Sequence, residues 1–348
     1  MNFRQMLGWI AVGLFLSGCS SGISQAPANP TGLAPLGMSQ QSNDSRIAAN
    51  NNIRLFPTPT VISWPDYITK GSDGNVWFTE FYSDRVGRVT PSGAITEFPL
   101  PALNDVEGIT SGPDGNLWFT EPGENKIGKM TTGGVVSTFP IKATDPSPRG
   151  ITAGPDGNVW FVEFYDGAIG RITPAGVITR FTIPQGQSYP WWITTGKDGD
   201  LWFTESGNDL IGRFDPKTLK FKTPMRVPGK SVTPWGIMSA PDGRIWFTER
   251  TAGDIAVINT GGIQAFHISD PTSYPDTLVT GPDGDIWFTE NQAGSIGHFN
   301  PTTGKFAPAI RLPSGDIPTG ITVGGDGNIW FTVGNYYEQN SIGKIVLH

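Results

Sequence analysis

Ten residues, GPDGNLWFTE at positions 112–121, recur as near-copies beginning at 71, 154, 196, 240, 281 and 324. The tryptophans of the seven copies (Trp77, Trp118, Trp160, Trp202, Trp246, Trp287 and Trp330) stand 41, 42, 42, 44, 41 and 43 residues apart. Such a period, with strand-like content and no long helical stretch, predicts propeller blades that must stack on one another to bury their faces. Each unit repeats four strand signals: an apolar entry such as Gly150-Ile151-Thr152-Ala153, the Trp-Phe strand, an Ile-Gly-Arg/Lys strand such as Ile169-Gly170-Arg171, and a fourth such as Val177-Ile178-Thr179-Arg180-Phe181. The fold expected is all-β: a seven-bladed β-propeller of four-stranded blades. The 46 Gly and 30 Pro of the 348 residues supply its many turns.

The two ends predict how the ring closes. The chain stops after a third-strand pattern, Ser341-Ile342-Gly343-Lys344-Ile345, while Ile53-Arg54-Leu55-Phe56-Pro57 matches the fourth-strand pattern of Ile95-Thr96-Glu97-Phe98-Pro99. The N-terminal strand is expected to complete the last blade and remove an exposed sheet edge. The domain plan is therefore a signal segment at 1–19, a tether at 20–52 and the propeller at 53–348.

Residues 1–19, MNFRQMLGWIAVGLFLSGC, carry Arg4, an apolar run from Met6 to Leu16, and then Leu16-Ser17-Gly18-Cys19. This is the pattern of a bacterial lipoprotein signal, cleaved before Cys19 and acylated on its sulfur. The run is too short for a bilayer core of about 30 Å, which takes about 20 residues. Cys19 is the only cysteine, so the exported domain holds no disulfide. Residues 20–52, rich in Ser, Asn, Gln, Pro and Gly, read as a flexible tether. The expected location is outside the cytoplasm, held to a bacterial membrane through the lipid on Cys19. A net charge of −7 and the lack of a Lys/Arg run exclude a nucleic-acid partner. A monomer is expected.

Within the repeated phrase the Asp-Gly pair predicts a tight turn with positive φ. The Trp is expected to wedge between blades, and Glu80, Glu121, Glu163, Glu205, Glu249 and Glu290 to receive backbone or Lys/Arg hydrogen bonds at strand ends. Function is then to be sought where equivalent positions differ. All seven tyrosines, with Trp64, Trp191, Trp192 and Trp235, lie in or beside the loops that enter each first strand or follow each Trp-Phe strand. Those loops share one face, around the mouth of the central channel, and clustered aromatics there suggest a binding surface.

One position just before each first strand faces inward: Asp66, Glu107, Arg149, Trp191, Trp235, Asp276 and Thr319. These seven are the candidate ligand-binding residues, acidic on one side, aromatic on the other, with Arg149 between. Such a mouth suits a ligand with a cationic or metal-bound part and a flat apolar part, whether a small molecule or a segment of an envelope protein. Asp66, Glu107 and Asp276 are the candidate ligands for a divalent cation, magnesium or calcium. No residue is assigned a catalytic role.

The Trp-Phe-Thr-Glu phrase, the Asn-Lys-Ile-Gly-Lys stretch at 125–129 and the period together resemble the streptogramin B lyase family over residues 53–348. The resemblance implies a seven-bladed propeller that linearises a cyclic depsipeptide antibiotic by elimination at its ester, using a histidine base and a magnesium ion held by acids. In that family the histidines stand in Pro-His-Gly/Ala-Ile stretches, at the inward position. Here the stretches read Pro65-Asp66-Tyr67-Ile68, Val106-Glu107-Gly108-Ile109, Pro148-Arg149-Gly150-Ile151, Pro190-Trp191-Trp192-Ile193, Pro234-Trp235-Gly236-Ile237, Pro275-Asp276-Thr277-Leu278 and Pro318-Thr319-Gly320-Ile321, none with histidine. Gly334 stands where the resemblance implies a metal-binding acid, and His267, His298 and His348 fall in outer-strand contexts. The expectation is a ligand- or partner-binding propeller on a lyase-like scaffold. The alternative is a metal-dependent lyase or hydrolase using the acidic arc.

Overall fold

The structure, a computed structural model, describes residues 46–47, 52–101, 105–186 and 188–347. The signal segment, Cys19 and the tether up to residue 45 lie outside the described residues, as does His348.

Seven antiparallel sheets of at least four strands follow one another along the chain, each with its first strand innermost. Blade one consists of Pro65–Lys70, Val76–Glu80, Arg85–Val89 and Ile95–Pro99. The innermost strands of blades two to seven are Ile109–Ser111, Pro148–Ala153, Pro190–Thr195, Pro234–Ser239, Pro275–Thr280 and Ile317–Val323. In blade six the outer strand breaks into Lys305–Phe306 and Ile310–Arg311, because Pro308 between them has no amide hydrogen for the ladder.

Ring closure follows the expected register. Ile53–Pro57 pairs with Ser341–Ile345, Ile53 opposite Ile345 and Pro57 opposite Ser341, so blade seven is assembled from both ends of the chain. Arg46–Ile47 adds two residues of pairing outside that strand, against Leu55 and Arg54.

The repeated phrase builds one packing cassette. Each blade tryptophan is buried, and it reaches the next blade: Trp77 packs with Ile109, Leu117 and Phe119, and Trp330 with Ile68, Val76 and Phe78. A fourth-strand phenylalanine stacks on it in five blades, as Phe98 does on Trp77 with 5.4 Å between centroids, while a third-strand Arg or Lys such as Arg88 covers the cassette from outside. The phrase's phenylalanine explains the third-strand glycine. A Cβ on Gly87 would sit 2.1 Å from the Phe78 ring.

The Asp-Gly pair divides its work differently from the expectation. Only the glycine takes positive φ, as Gly74 does at 80°, whereas the aspartate turns its carboxylate inward. Asp73 Oδ1 accepts the Trp77 indole N–H at 3.1 Å and the Asn75 amide at 3.1 Å, and the pattern recurs at Asp114, Asp156 and Asp326. A buried indole N–H needs an acceptor, and a carboxylate at a turn supplies it without breaking the strand.

Candidate functional site

Three local devices place the inward residues. First, the innermost strand bulges in six blades, with register shifts between Pro65 and Ile68, Pro148 and Ile151, Pro190 and Ile193, Pro234 and Ile237, Pro275 and Leu278, and Pro318 and Ile321. A bulge re-aims one side chain, here the one that follows the proline. Second, the residue two before the inward position takes left-handed φ of 42–53° at Trp64, Asp105, Ser147, Tyr189, Thr233 and Tyr274. In four of these turns an Asn or Asp from the loop after the Trp-Phe strand catches that residue's amide: Asn340 for Trp64 at 2.6 Å, Asp84 for Asp105 at 2.8 Å, Asn125 for Ser147 at 2.9 Å and Asp209 for Thr233 at 3.1 Å.

Third, the threonine of the phrase joins neighbouring blades. Thr79 Oγ1 accepts the Tyr67 amide in its own blade at 3.1 Å and donates to the Glu107 carbonyl of the next at 2.6 Å. Thr204, Thr248, Thr289 and Thr332 donate likewise to the carbonyls of Trp235, Asp276, Thr319 and Asp66. Blade three has Val162 at this position, so the Trp191 carbonyl of blade four has no such hydroxyl opposite it.

The seven inward residues do come together at the channel mouth, and they interact chiefly with one another. Arg149 Nη1 donates to Glu107 Oε2, both side chains almost fully buried. The Arg149 guanidinium also lies 5.1 Å from the Trp191 centroid and 5.5 Å from that of Phe164. Trp191 stacks on Trp235 with centroids 3.7 Å apart, and Arg250 lies 4.3 Å from the Trp235 centroid. In ring order the four form a stack, Arg149–Trp191–Trp235–Arg250. The flat apolar wall expected for a ligand is thus covered on both faces by the protein's own cations, and the rings are packed rather than open.

The acids share the remaining space. Burial pushes the Asp276 carboxyl up to about 6 against the pull of Arg250 and the Trp235 indole, although neither Asp276 Oδ1 nor Trp235 Nε1 completes a hydrogen bond. Burial, reinforced by the charges of Glu107 and Asp276, holds Asp66 well above the ordinary carboxylate range. Burial also raises Glu107, and Arg149 opposes it. Thr319 is buried and its Oγ1 has no hydrogen-bond partner. Glu107 is engaged by Arg149, and among the described residues no three His, Cys, Asp or Glu side chains are placed as they stand to hold an ion.

Below this ring Tyr67 of blade one meets Trp192 of blade four across the channel, with centroids 4.3 Å apart. Both occupy the position after the inward residue, where four blades carry glycine because a side chain would strike the next blade; a Cβ on Gly236 would lie 2.3 Å from the Asp276 carbonyl. Beyond the two rings, a cavity of about 300 Å³ runs along the innermost strands, lined by Thr69, Thr152, Thr194, Thr322 and Met238. Open volume therefore lies deeper in the channel, toward the face of the Asp-Gly turns.

The phrase glutamates are buried but only partly satisfied as expected. Glu163 accepts from Arg180, whereas both carboxylate oxygens of Glu121 have no hydrogen-bond partner. Burial raises Glu80 to about 8 and Glu121, Glu205 and Glu249 to about 7, from an ordinary 4.5. A raised carboxyl binds its proton more tightly folded than unfolded, so its contribution is complete below about pH 4.5 and is lost as pH rises through 7 to 8. Melting temperature is expected to fall from pH 5 to pH 8.5, and Glu121→Gln with Glu205→Gln to flatten that fall. A profile that rises over this interval contradicts the assignment.

Neither described histidine reaches the mouth. His267 is exposed on an outer strand beside Asp254, and His298 stacks on Trp287 at 4.3 Å. The residues that sequence reasoning missed are Arg250, Phe164, the bridging threonines and the anchoring Asn/Asp set. Repetition of Thr in the phrase and of Asp or Asn before the Ile-Gly strand was the available signal for the last two.

Closed ring, bulged inner strands and a charged, aromatic channel mouth define a seven-bladed propeller whose irregular residues gather on one face. The sequence profile of the virginiamycin B lyase family matches residues 35–222 and 217–348, and the chain belongs to that family. A streptogramin B lyase structure is 35% identical, covering 85% of this chain and 97% of that one, with a TM-score of 0.79. A catalytically inactive histidine-to-alanine variant of virginiamycin B lyase from Staphylococcus aureus, with quinupristin, is 34% identical over 85% of this chain and 99% of its own, with a TM-score of 0.79. Hydrazine synthase from Kuenenia stuttgartiensis, 15% identical with a TM-score of 0.66 over 80% of this chain and 95% of its own, shares the fold alone. No match was found among curated proteins.

Proposed function

We propose that this chain is an exported, lipid-anchored propeller that binds a small-molecule ligand or envelope protein at the channel mouth, on a lyase scaffold that no longer runs histidine-driven elimination. The observation that carries this reading is the set of buried polar atoms at the mouth without a completed hydrogen bond: Asp276 Oδ1, Thr319 Oγ1, Trp191 Nε1 and Trp235 Nε1. Leaving such groups unpaired costs about 1–3 kcal/mol each, which an incoming ligand recovers. Quinupristin, present with the inactive Staphylococcus aureus variant, is the first ligand to test.

Titration of the purified chain with quinupristin, followed by tryptophan fluorescence and by chromatography of the antibiotic with magnesium present, separates binding from chemistry. Binding without ring opening is the expected outcome, since removing a positioned general base typically costs about 10²–10⁴-fold. Robust magnesium-dependent linearisation overturns the proposal. One observation favours a second reading: Asp276, buried with a carboxyl near 6, has the proton affinity a general base needs. Under that reading Asp276→Asn removes any opening activity while leaving the melting temperature within a few degrees.

A further inference from the structure

Exposed large apolar side chains are not spread evenly over the described surface. Val135, Val177 and Leu219 stand singly in short turns, and Tyr274 stands alone on the mouth side. Val61, Ile62, Tyr336 and Tyr337 are instead brought together where blade seven meets blade one, with exposures of 61%, 48%, 43% and 93%. Rings join them into a strip: Trp64 lies 5.6 Å from Tyr82 and 4.5 Å from Tyr336, and Tyr336 lies 6.4 Å from Tyr337. Among residues 58–64 and 334–340 Glu338 is the only charged side chain, and the one carboxylate that reaches the loop from blade one, Glu97, already accepts from the Thr60 amide at 2.9 Å and hydroxyl at 2.6 Å. Placing this strip against an apolar medium therefore desolvates little charge.

The backbone beneath is built to hold the strip out. Left-handed φ at Trp64 belongs to the repeated turn, but φ of 57° at Ile62 is matched, among the described equivalent positions, only at Ser231 of blade five and at Gly315 of blade seven, where glycine takes it without strain. For a β-branched residue that conformation is strained by about 1–3 kcal/mol. Ser63 is buried and its carbonyl accepts the Tyr82 amide at 3.0 Å, Asn340 holds Trp64, and Gln339 donates to the Thr58 carbonyl at 2.7 Å. Val61 and Ile62 are thus displayed on a rigid loop, with Tyr336 and Tyr337 beside them.

We propose that this strip is a membrane-docking surface, seated in the interface of the bilayer to which Cys19 tethers the chain. It rests on the lipid-anchor reading given above. The strip lies on the same blade as the point where the tether arrives: Arg46 pairs with Leu55 in the strand whose end, Pro57, leads directly into the Val61–Ile62 loop. The sequence leaves 26 residues between Cys19 and Arg46, and a flexible chain of that length in general has a root-mean-square span of about 30 Å, comparable with a bilayer's thickness. A surface held that close meets lipid at high effective concentration, so modest affinity suffices. Tyr and Trp, with an apolar body and a polar tip, are the side chains that settle at the headgroup level. Docking here tilts the mouth face toward the lipid and leaves the Asp-Gly face outward.

The test uses the chain from residue 20 onward, without lipid, which retains every described strand. It is mixed with phosphatidylcholine vesicles and sedimented. The wild-type chain is expected to partition to the pellet, and Ile62→Asp with Tyr337→Ser to lower the partition coefficient by about tenfold or more, from the loss of two apolar contacts. Tyr274→Ser, a lone exposed ring, leaves it unchanged. Circular dichroism melts confirm that the variants are folded. No sedimentation of folded wild-type chain overturns the proposal, as does equal sedimentation of the double variant. Concentration-dependent dimerisation in free solution that the double variant abolishes assigns the strip to a second copy and also overturns it. Palmitate labelling of Cys19 in cells, lost in Cys19→Ala, reports separately on the anchor: labelling with no vesicle binding defeats the docking surface alone, and vesicle binding with no labelling defeats the anchor alone.

Discussion

Deletion of Ile53–Pro57 is expected to prevent formation of a stable closed ring. Ile53 and Leu55 are each 1% exposed and pack in one cluster with Trp287, Ile321, Phe331 and Ile345. Truncating a buried aliphatic typically costs about 2–5 kcal/mol. Two of them, added to a five-residue ladder, match the whole net stability of a typical domain, about 5–15 kcal/mol. The deletion also bares Ser341–Ile345 as an unpaired edge, so the product is expected to aggregate as well as melt. Thermal melts and light scattering check this against a deletion of residues 20–45, which removes only the tether and is expected to leave the melting temperature unchanged. Equal melting temperatures for the two deletions contradict the closure.

Glu107→Ala is expected to cost about 3–5 kcal/mol, the loss found when one member of a buried ion pair is removed. Arg149 then keeps its charge at 2% exposure while losing the carboxylate beside it. At about 2–4 °C per kcal/mol for a chain of this size, the melting temperature drops on the order of 10 °C. Combining Glu107→Leu with Arg149→Met removes both charges and is expected to recover much of that loss, since buried pairs are often replaceable by apolar side chains of similar volume. The pair of variants separates fold from function. If the double variant melts near wild type and no longer binds at the mouth, the ion pair is kept for recognition; if Glu107→Ala alone melts near wild type, the pair is not buried as described.

The same geometry alters what Trp191 and Trp235 are expected to show. From the sequence they are expected only to form the aromatic side of an open mouth. With Trp191 lying between Arg149 and Trp235, Trp191→Ala opens a void beside the buried guanidinium and is expected to lower stability by about 1–3 kcal/mol, less than truncation of Trp118 in the cassette at about 3–5 kcal/mol.

Much of the architecture was legible before any coordinates. Seven evenly spaced tryptophans imply seven stacked blades because each blade's apolar face needs a neighbour. The match between Ile53–Pro57 and the fourth-strand pattern implies closure because a ring has no other way to satisfy its last edge. The position just before each first strand picked out the seven residues that meet at the mouth. These features are local or repeated, and repetition averages out the ambiguity of any one segment.

Tertiary structure alone decided what those positions do for one another. Arg149 and Glu107 are 42 residues apart, Tyr67 and Trp192 stand in blades one and four, and Arg250 reaches Trp235 from the end of its blade's second strand. The sequence by itself determined that acidic, basic and aromatic side chains would face one channel. Which charge is neutralised by which, which ring face is covered and where open volume remains depend on distances of a few ångströms across that channel. Those distances are set by the bulges, the left-handed turns and the threonine bridges of many blades at once, because electrostatic and packing energies are steep in distance and the partners mostly stand in different repeats.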